Sequence, residues 1–116
     1  MAYVYMLLCA DGSIYTGTAR DLLHRMRDHF EKRPAAAAYT RAKGAKRLLS
    51  AWECADMSAA LRAEAAIKKL TRSAKEALLA SPERLGGDAF PTLADLTFRP
   101  LTENDPPLLE ARQRYG

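Results

Sequence analysis

A chain of 116 residues, 48% hydrophobic and 28% charged with a net charge of +4, fits one soluble domain with a modest core. No apolar run is long enough to cross a membrane and no leader with a cleavage signal opens the chain, so it reads as cytoplasmic. Cys9 and Cys54 make no disulfide framework and no Cys/His spacing fits a zinc site, so both read as buried reduced thiols.

Residues 3–9 form an apolar run rich in aromatic and branched side chains. Ala10-Asp11-Gly12-Ser13 is a turn signal, and residues 14–18 read as a second strand, which together give an antiparallel hairpin. The two-residue period puts Tyr3 and Tyr5 on one face and Val4 on the other. Pairing around Asp11-Gly12 brings Tyr5 and Tyr15 onto neighbouring strands, within reach of each other. Taken alone, this is equally a hairpin whose tyrosines cover a core.

Arg20 to Lys32 reads as a helix. Leu22, Leu23, Met26 and Phe30 recur at helical spacing and make its apolar stripe. Arg25 and His29, four apart, stack beside that stripe, where they reach the hairpin and still touch water. His24 and Glu31 point to solvent. In isolation, Arg25 and His29 also suit a plain helix edge.

Residues 33–44 are a connection opened by Pro34, in which Ala35 to Ala38 is a helical turn or a loop. Tyr39-Thr40-Arg41, Lys43, Lys46 and Arg47 then set an aromatic ring among cations. That composition suits a phosphate backbone, and also a solvated loop. Leu48 to Cys54 reads as a third strand containing Trp52. Asp56 or Ser58 caps a helix from about Ser58 to Leu70, with Ala60, Ala63, Ile67 and Leu70 inside and Arg62 and Lys69 outside. Glu64 has mostly apolar helical neighbours. A bare carboxylate there is costly, so it needs a partner, either Lys68 or a divalent cation. Ala74 to Ala80 gives a short helix ended by Ser81-Pro82.

The composition then changes. Residues 82–116 hold five of the six prolines and the pair Gly86-Gly87. Asp105-Pro106 reads as a helix cap, with Leu108 to Arg114 a last helix. Leu93, Leu96, Phe98 and Leu101 are too apolar for a free tail. The chain thus divides into a domain over residues 1–82 and an extension over residues 83–116, partly packed back and a candidate surface for a protein partner.

Charge follows the same division. From Arg20 to Arg47 there are nine Lys/Arg against three Asp/Glu, whereas from Glu83 onward there are four against six. The basic excess lies in the middle of the chain and points to an anionic partner, nucleic acid first.

The order strand, strand, helix, strand, helix, helix carries Tyr3-Val4-Tyr5, Tyr15-Thr16-Gly17, Arg25-x-x-x-His29 and Glu64. This resembles the GIY-YIG nuclease domain, most closely its small YhbQ-like members, over about residues 2–80. Tyr3 replaces the first glycine of GIY and Thr16 the isoleucine of YIG, changes that the small members tolerate. Tyr39 falls where those members often carry a tyrosine. A late metal-side asparagine found in some relatives is not carried over, because Asn104 lies outside the match. Many family nucleases draw DNA specificity from an attached domain, for which this chain leaves no room.

The resemblance implies an α+β fold, a three-stranded antiparallel sheet flanked by helices. It also implies an endonuclease acting on DNA with Mg²⁺ or Mn²⁺, directed by DNA structure rather than sequence, in repair or recombination. Glu64 would hold the metal, Arg25 the phosphate, and Tyr5 or His29 would be the general base. Tyr15 would orient the water, and Gly17 would let the backbone approach closely. A tyrosine base needs its pKa lowered, by Arg25 or the metal. Arg41, Lys43, Lys46 and Lys68 are the candidate backbone contacts. Two other classes compete: a catalytically weak DNA-binding module of this fold, and a protein-interaction module working through its apolar tail.

Overall fold

The hairpin turns at Gly12, whose φ of +86° is a conformation L side chains rarely adopt. Asp11 holds the turn by accepting from the Ser13 backbone N–H at 3.0 Å and its hydroxyl at 2.5 Å. In the computed structural model, which describes residues 1–115, this turn joins β1 (Ala2–Cys9) to β2 (Ile14–Ala19). The register sets Tyr5 opposite Gly17 and Leu7 opposite Tyr15, so the two tyrosines are diagonal neighbours.

Helix α1 (Leu22–Phe30) starts where the Asp21 carboxylate accepts the His24 N–H. A short α2 (Ala38–Lys43) occupies the end of the connection. Next come β3 (Ala45–Cys54), α3 (Met57–Lys68), capped by Asp56, and α4 (Arg72–Ala80), capped by Thr71. Caps of this kind are worth about 1 kcal/mol each. Two 3-10 turns, Pro82–Arg84 and Pro91–Leu93, lead to β4 (Phe98–Pro100) and α5 (Pro106–Tyr115). β3 begins three residues earlier than the sequence pattern indicated, so Lys46 and Arg47 are strand residues.

The sheet is antiparallel in the order β2-β1-β3-β4, four strands rather than the expected three. β4 pairs with residues 52–54 and is three residues long, ending on proline. It is too short to show an alternating pattern in sequence.

The two faces of β1 bury different layers. Val4 and Met6 face α3, packing with Trp52, Ala60, Ala63 and Ile67. Tyr5 and Leu7 face α1, packing with Leu22, Met26, Leu48 and Ala51. Residues after Pro82 complete both layers: Phe90, Leu93 and Phe98 join the first, and Leu101, Leu108 and Ala111 the second. The Trp52 indole N–H donates to the Pro82 carbonyl at 2.8 Å, satisfying its one polar atom. The apolar tail residues proposed as a partner surface thus face largely inward. Cys9 and Cys54 are buried free thiols, and burial pushes the Cys54 thiol up to about 11.

β3 carries a bulge. Met6 pairs with Ser50 but Leu7 with Leu48, so Leu49 is an extra residue. Its carbonyl accepts from Arg112 of α5 at 2.8 Å.

Candidate active site

The α1 face of the hairpin ends in an aromatic cluster built around His29. Its position follows from the sequence: His29 is one helical turn from Arg25 and lies over Tyr5 of β1 and Tyr15 of β2. The imidazole is edge-on to both rings, at centroid distances of 5.6 and 5.5 Å. The Tyr5 hydroxyl is 2.6 Å from His29 Nε2, and the Thr40 hydroxyl is 2.6 Å from Nδ1. Tyr5, His29 and Thr40 have no solvent-exposed surface. Here the structure corrects the sequence expectation that His29 touches water. α2 closes over the imidazole, and a periodicity argument confined to α1 does not see that cover.

Burial, and next the charge of Arg25, hold His29 at about 4, below its ordinary 6.5, with Asp28 pulling weakly the other way. The ring is therefore neutral near pH 7. Burial also pushes the Tyr5 phenol well above its ordinary value, and nearby Arg25 only partly offsets this. The expectation that Arg25 would lower the Tyr5 pKa thus fails on its own: desolvation outweighs the guanidinium. Tyr15 is raised by burial too.

Arg25 is held from two sides. Its Nη1 donates to the Ala35 carbonyl at 2.7 Å and lies 3.7 Å from the buried Asp28 carboxylate. About a quarter of its side chain stays exposed, which leaves part of the fork available to an anion.

Gly17 is where β2 runs closest to the cluster. A Cβ there would stand 2.5 Å from the Tyr5 hydroxyl oxygen and 2.9 Å from the Tyr15 ring. Tyr39 is exposed and stacks on Tyr15 at 5.7 Å, with 25° between the planes.

Glu64 comes from the other layer. α3 packs on the opposite face of the sheet from α1, against the edge strand β2 and its neighbour β1. Lys68, one turn after Glu64, puts its ammonium 5.8 Å from the Tyr15 ring centre. The Glu64 carboxylate lies 3.8 Å from that ammonium, and its charge raises the pKa of both Tyr5 and Tyr15. The candidate residues thus come from both layers, Arg25 and His29 from one and Glu64 and Lys68 from the other, with Tyr15 of β2 against both His29 and Lys68.

Among the described residues, no group of three or more His, Cys, Asp or Glu side chains could enclose a metal ion. The donor set instead offers one partly exposed carboxylate, whose ion-pair partner at 3.8 Å is too distant for a hydrogen bond. This fits a hard divalent cation that keeps most of its water.

The other candidate cations lie on α2 and β3. Arg41, Lys43 and Lys46 are exposed, at the end of α2 and the start of β3. Lys43 is paired with Asp11 of the hairpin turn at 3.2 Å, whereas Arg41 and Lys46 have no ion-pair partner among the described residues. Asp28 and Thr40 were not anticipated. Asp28 repeats the three-residue spacing from Arg25, the signal that could have placed it. Thr40 follows Tyr39 as a small polar residue with nothing in sequence to mark it as buried.

Comparison with known proteins gives the family of the chain. The family model described as the GIY-YIG catalytic domain matches residues 1–77. The chain belongs to the GIY-YIG catalytic domain family. Its relatives include the UPF0213 protein YhbQ of Salmonella arizonae, 37% identical over 103 residues, or 89% of this chain and 96% of that one. A UPF0213 protein of Xanthomonas axonopodis pv. citri is 37% identical over 95 residues, 82% of this chain and 91% of that one. The solution NMR structure of a UPF0213 protein from Bacillus halodurans is 40% identical, covers 69% of this chain and 84% of that one, and has a TM-score of 0.45. The GIY-YIG match takes in Tyr5, Tyr15, Gly17, Arg25, His29, Thr40 and Glu64, and stops short of β4 and α5.

Proposed function

We propose that this GIY-YIG protein is a metal-dependent endonuclease that hydrolyses phosphodiester bonds in DNA. One observation carries the reading: a tyrosine hydroxyl held against a buried neutral histidine, with a partly free arginine fork beside it and a carboxylate at the same edge. Together they supply the parts that phosphodiester hydrolysis requires: a proton acceptor for water, a charge sink for the phosphate and an anchor for a cation.

Arg25 binds a non-bridging phosphate oxygen through its guanidinium group. An anion there cancels the guanidinium charge that helps depress His29, so substrate binding raises the proton affinity of the imidazole. Once the attacking water reaches the covered Tyr5 hydroxyl, Tyr5 accepts its proton as its own hydroxyl proton passes to His29 Nε2, so the pair acts as the general base. Tyr15 orients the water or a phosphate oxygen. Glu64 would hold Mg²⁺ or Mn²⁺, which when bound supplies Lewis acidity at the phosphate and charge relief for the leaving oxygen. The water oxygen bonds to phosphorus, the bond to the leaving oxygen breaks, and that oxygen takes a proton from solvent. The products are a phosphate monoester and an alcohol.

Arg41, Lys43, Lys46 and Lys68 are exposed cations that can contact phosphates, which carry no sequence information, in keeping with direction by DNA structure. Branched and flapped DNAs of repair and recombination are the substrates in which such direction operates. The test is a panel of branched, flapped, single-stranded and duplex DNAs, with and without Mg²⁺. Cleavage of one class only with metal is expected. Binding of all without cleavage of any would leave a DNA-binding module of this fold, and salt-insensitive or absent binding would leave a protein-interaction module.

A further inference from the structure

Thr40 lies outside the set of groups that the proposed reaction uses, yet it is fully buried and bonded to one that the reaction depends on. Its hydroxyl has two close neighbours, His29 Nδ1 at 2.6 Å and the Ala37 carbonyl oxygen at 3.0 Å. A carbonyl oxygen can only accept. A hydroxyl has one proton, and once it is given to Ala37 the oxygen can only accept from the imidazole. The Nδ1 atom must then carry the proton of the neutral ring. That leaves Nε2 with a lone pair, 2.6 Å from the Tyr5 oxygen, so the phenol must donate.

We propose that Thr40 is a positioning residue that fixes the Nδ1–H tautomer of His29 and thereby aims the Tyr5 hydroxyl proton at Nε2. The inference rests on the nuclease reading for its consequence, but not for its geometry. With the opposite tautomer, Nε2–H would donate to Tyr5 and the phenol would have no base to receive its proton. The chain Ala37 carbonyl, Thr40, His29, Tyr5 runs from α2 through α1 to β1, so three elements must be docked before the phenol is aimed. The charged and titratable groups around the ring are Arg25 and Asp28 on α1, Tyr5 on β1 and Tyr15 on β2. None of them takes the place of the Thr40 oxygen at Nδ1.

The chain has only two histidines, His24 and His29, so ¹⁵N-histidine labelling of the full-length protein gives a readable spectrum. At pH 7 the parent should show His29 protonated on Nδ1. Thr40→Val keeps the shape and removes the hydroxyl. It should shift His29 toward the Nε2–H form and lower kcat on a cleaved DNA by roughly 100-fold while leaving KM nearly unchanged. Thr40→Ser, which restores the oxygen, should recover both the tautomer and the rate. If the parent has His29 protonated on Nε2, or Thr40→Val retains the Nδ1–H form, or Thr40→Ser behaves like Thr40→Val, the proposal is overturned. A structural role alone would lower the melting temperature and leave the tautomer in place. Should Thr40→Val fail to fold, the parent and Thr40→Ser spectra decide. Should the parent cleave no DNA, the nuclease reading falls, while the spectra still decide the role of Thr40.

Discussion

The phenol of Tyr5 lies against the bare backbone of Gly17, so closely that a single methyl group there would displace one or the other. Tyr5 cannot yield easily, because His29 holds its hydroxyl at 2.6 Å. Gly17→Ala should therefore cost roughly 1–3 kcal/mol of stability and a larger share of activity, since the phenol is pushed off its partner. Denaturant unfolding and a nicking assay on the same preparation check this. Parent-like stability and rate together would mean that the ring has room the packing does not indicate.

Glu64→Gln should abolish cleavage and leave folding and DNA binding nearly intact. The amide keeps the shape of the carboxylate and loses the charge that would anchor a cation. The ion pair with Lys68 is long, and the lysine is half exposed, so its loss should cost under about 1 kcal/mol. Melting with and without Mg²⁺, alongside nicking, separates the roles. A variant that melts much earlier yet cuts at the parent rate would make Glu64 a partner of Lys68 and nothing more.

His29 should make the fold sensitive to acid. Its folded-state pKa is depressed to about 4, against 6.5 in an unfolded chain, first by burial and then by Arg25. Between those values the unfolded state binds a proton that the folded state does not, so stability rises with pH. It is fully present above about 6.5 and is lost as pH falls toward about 4, an effect on the order of 3 kcal/mol. His29→Gln removes this titration and should flatten the profile of unfolding midpoints across that window. Equal slopes in parent and variant would assign the acid sensitivity to other groups.

Arg41, Lys43 and Lys46 should act on DNA of every sequence alike. Replacing Lys43 and Lys46 together by Ala should weaken binding uniformly and reduce the salt slope by roughly one per lost phosphate contact. Lys43 already has Asp11 as a partner, so its share should be the smaller. Unchanged affinity in the double variant would place the DNA on another surface.

The hairpin, α1 and α3 were legible because each shows its period over at least six residues. The hairpin turn at Asp11-Gly12 sets the register that brings Tyr5 and Tyr15 together, and the four-residue step puts Arg25 beside His29. What sequence could not show was cover from elsewhere. α2 is six residues without a side-chain cap bond, yet it seals His29 and brings in Thr40. The apolar residues of the tail indicate that it packs back, and Phe98 and Leu108 do complete two core layers, but its proline content hides the three-residue strand. The layer holding Glu64 was also out of reach: helical spacing gives its neighbours along α3 but not the sheet edge past which it extends.

The bulge at Leu49, satisfied by Arg112, has a consequence for how the chain is made. The cluster around His29 is encoded within the first 68 residues, whereas β4 and α5, which complete β3, come after residue 97. A nascent chain that has not yet released those segments presents an unpaired strand edge at residues 52–54, a Leu49 carbonyl without its Arg112 partner and an apolar patch at Leu48 and Ala51. Such an edge is a template for pairing with another chain. Ribosomal stalling or truncation just before Phe98 is therefore where this protein is most exposed to aggregation, even though every residue of the candidate site has already been synthesised.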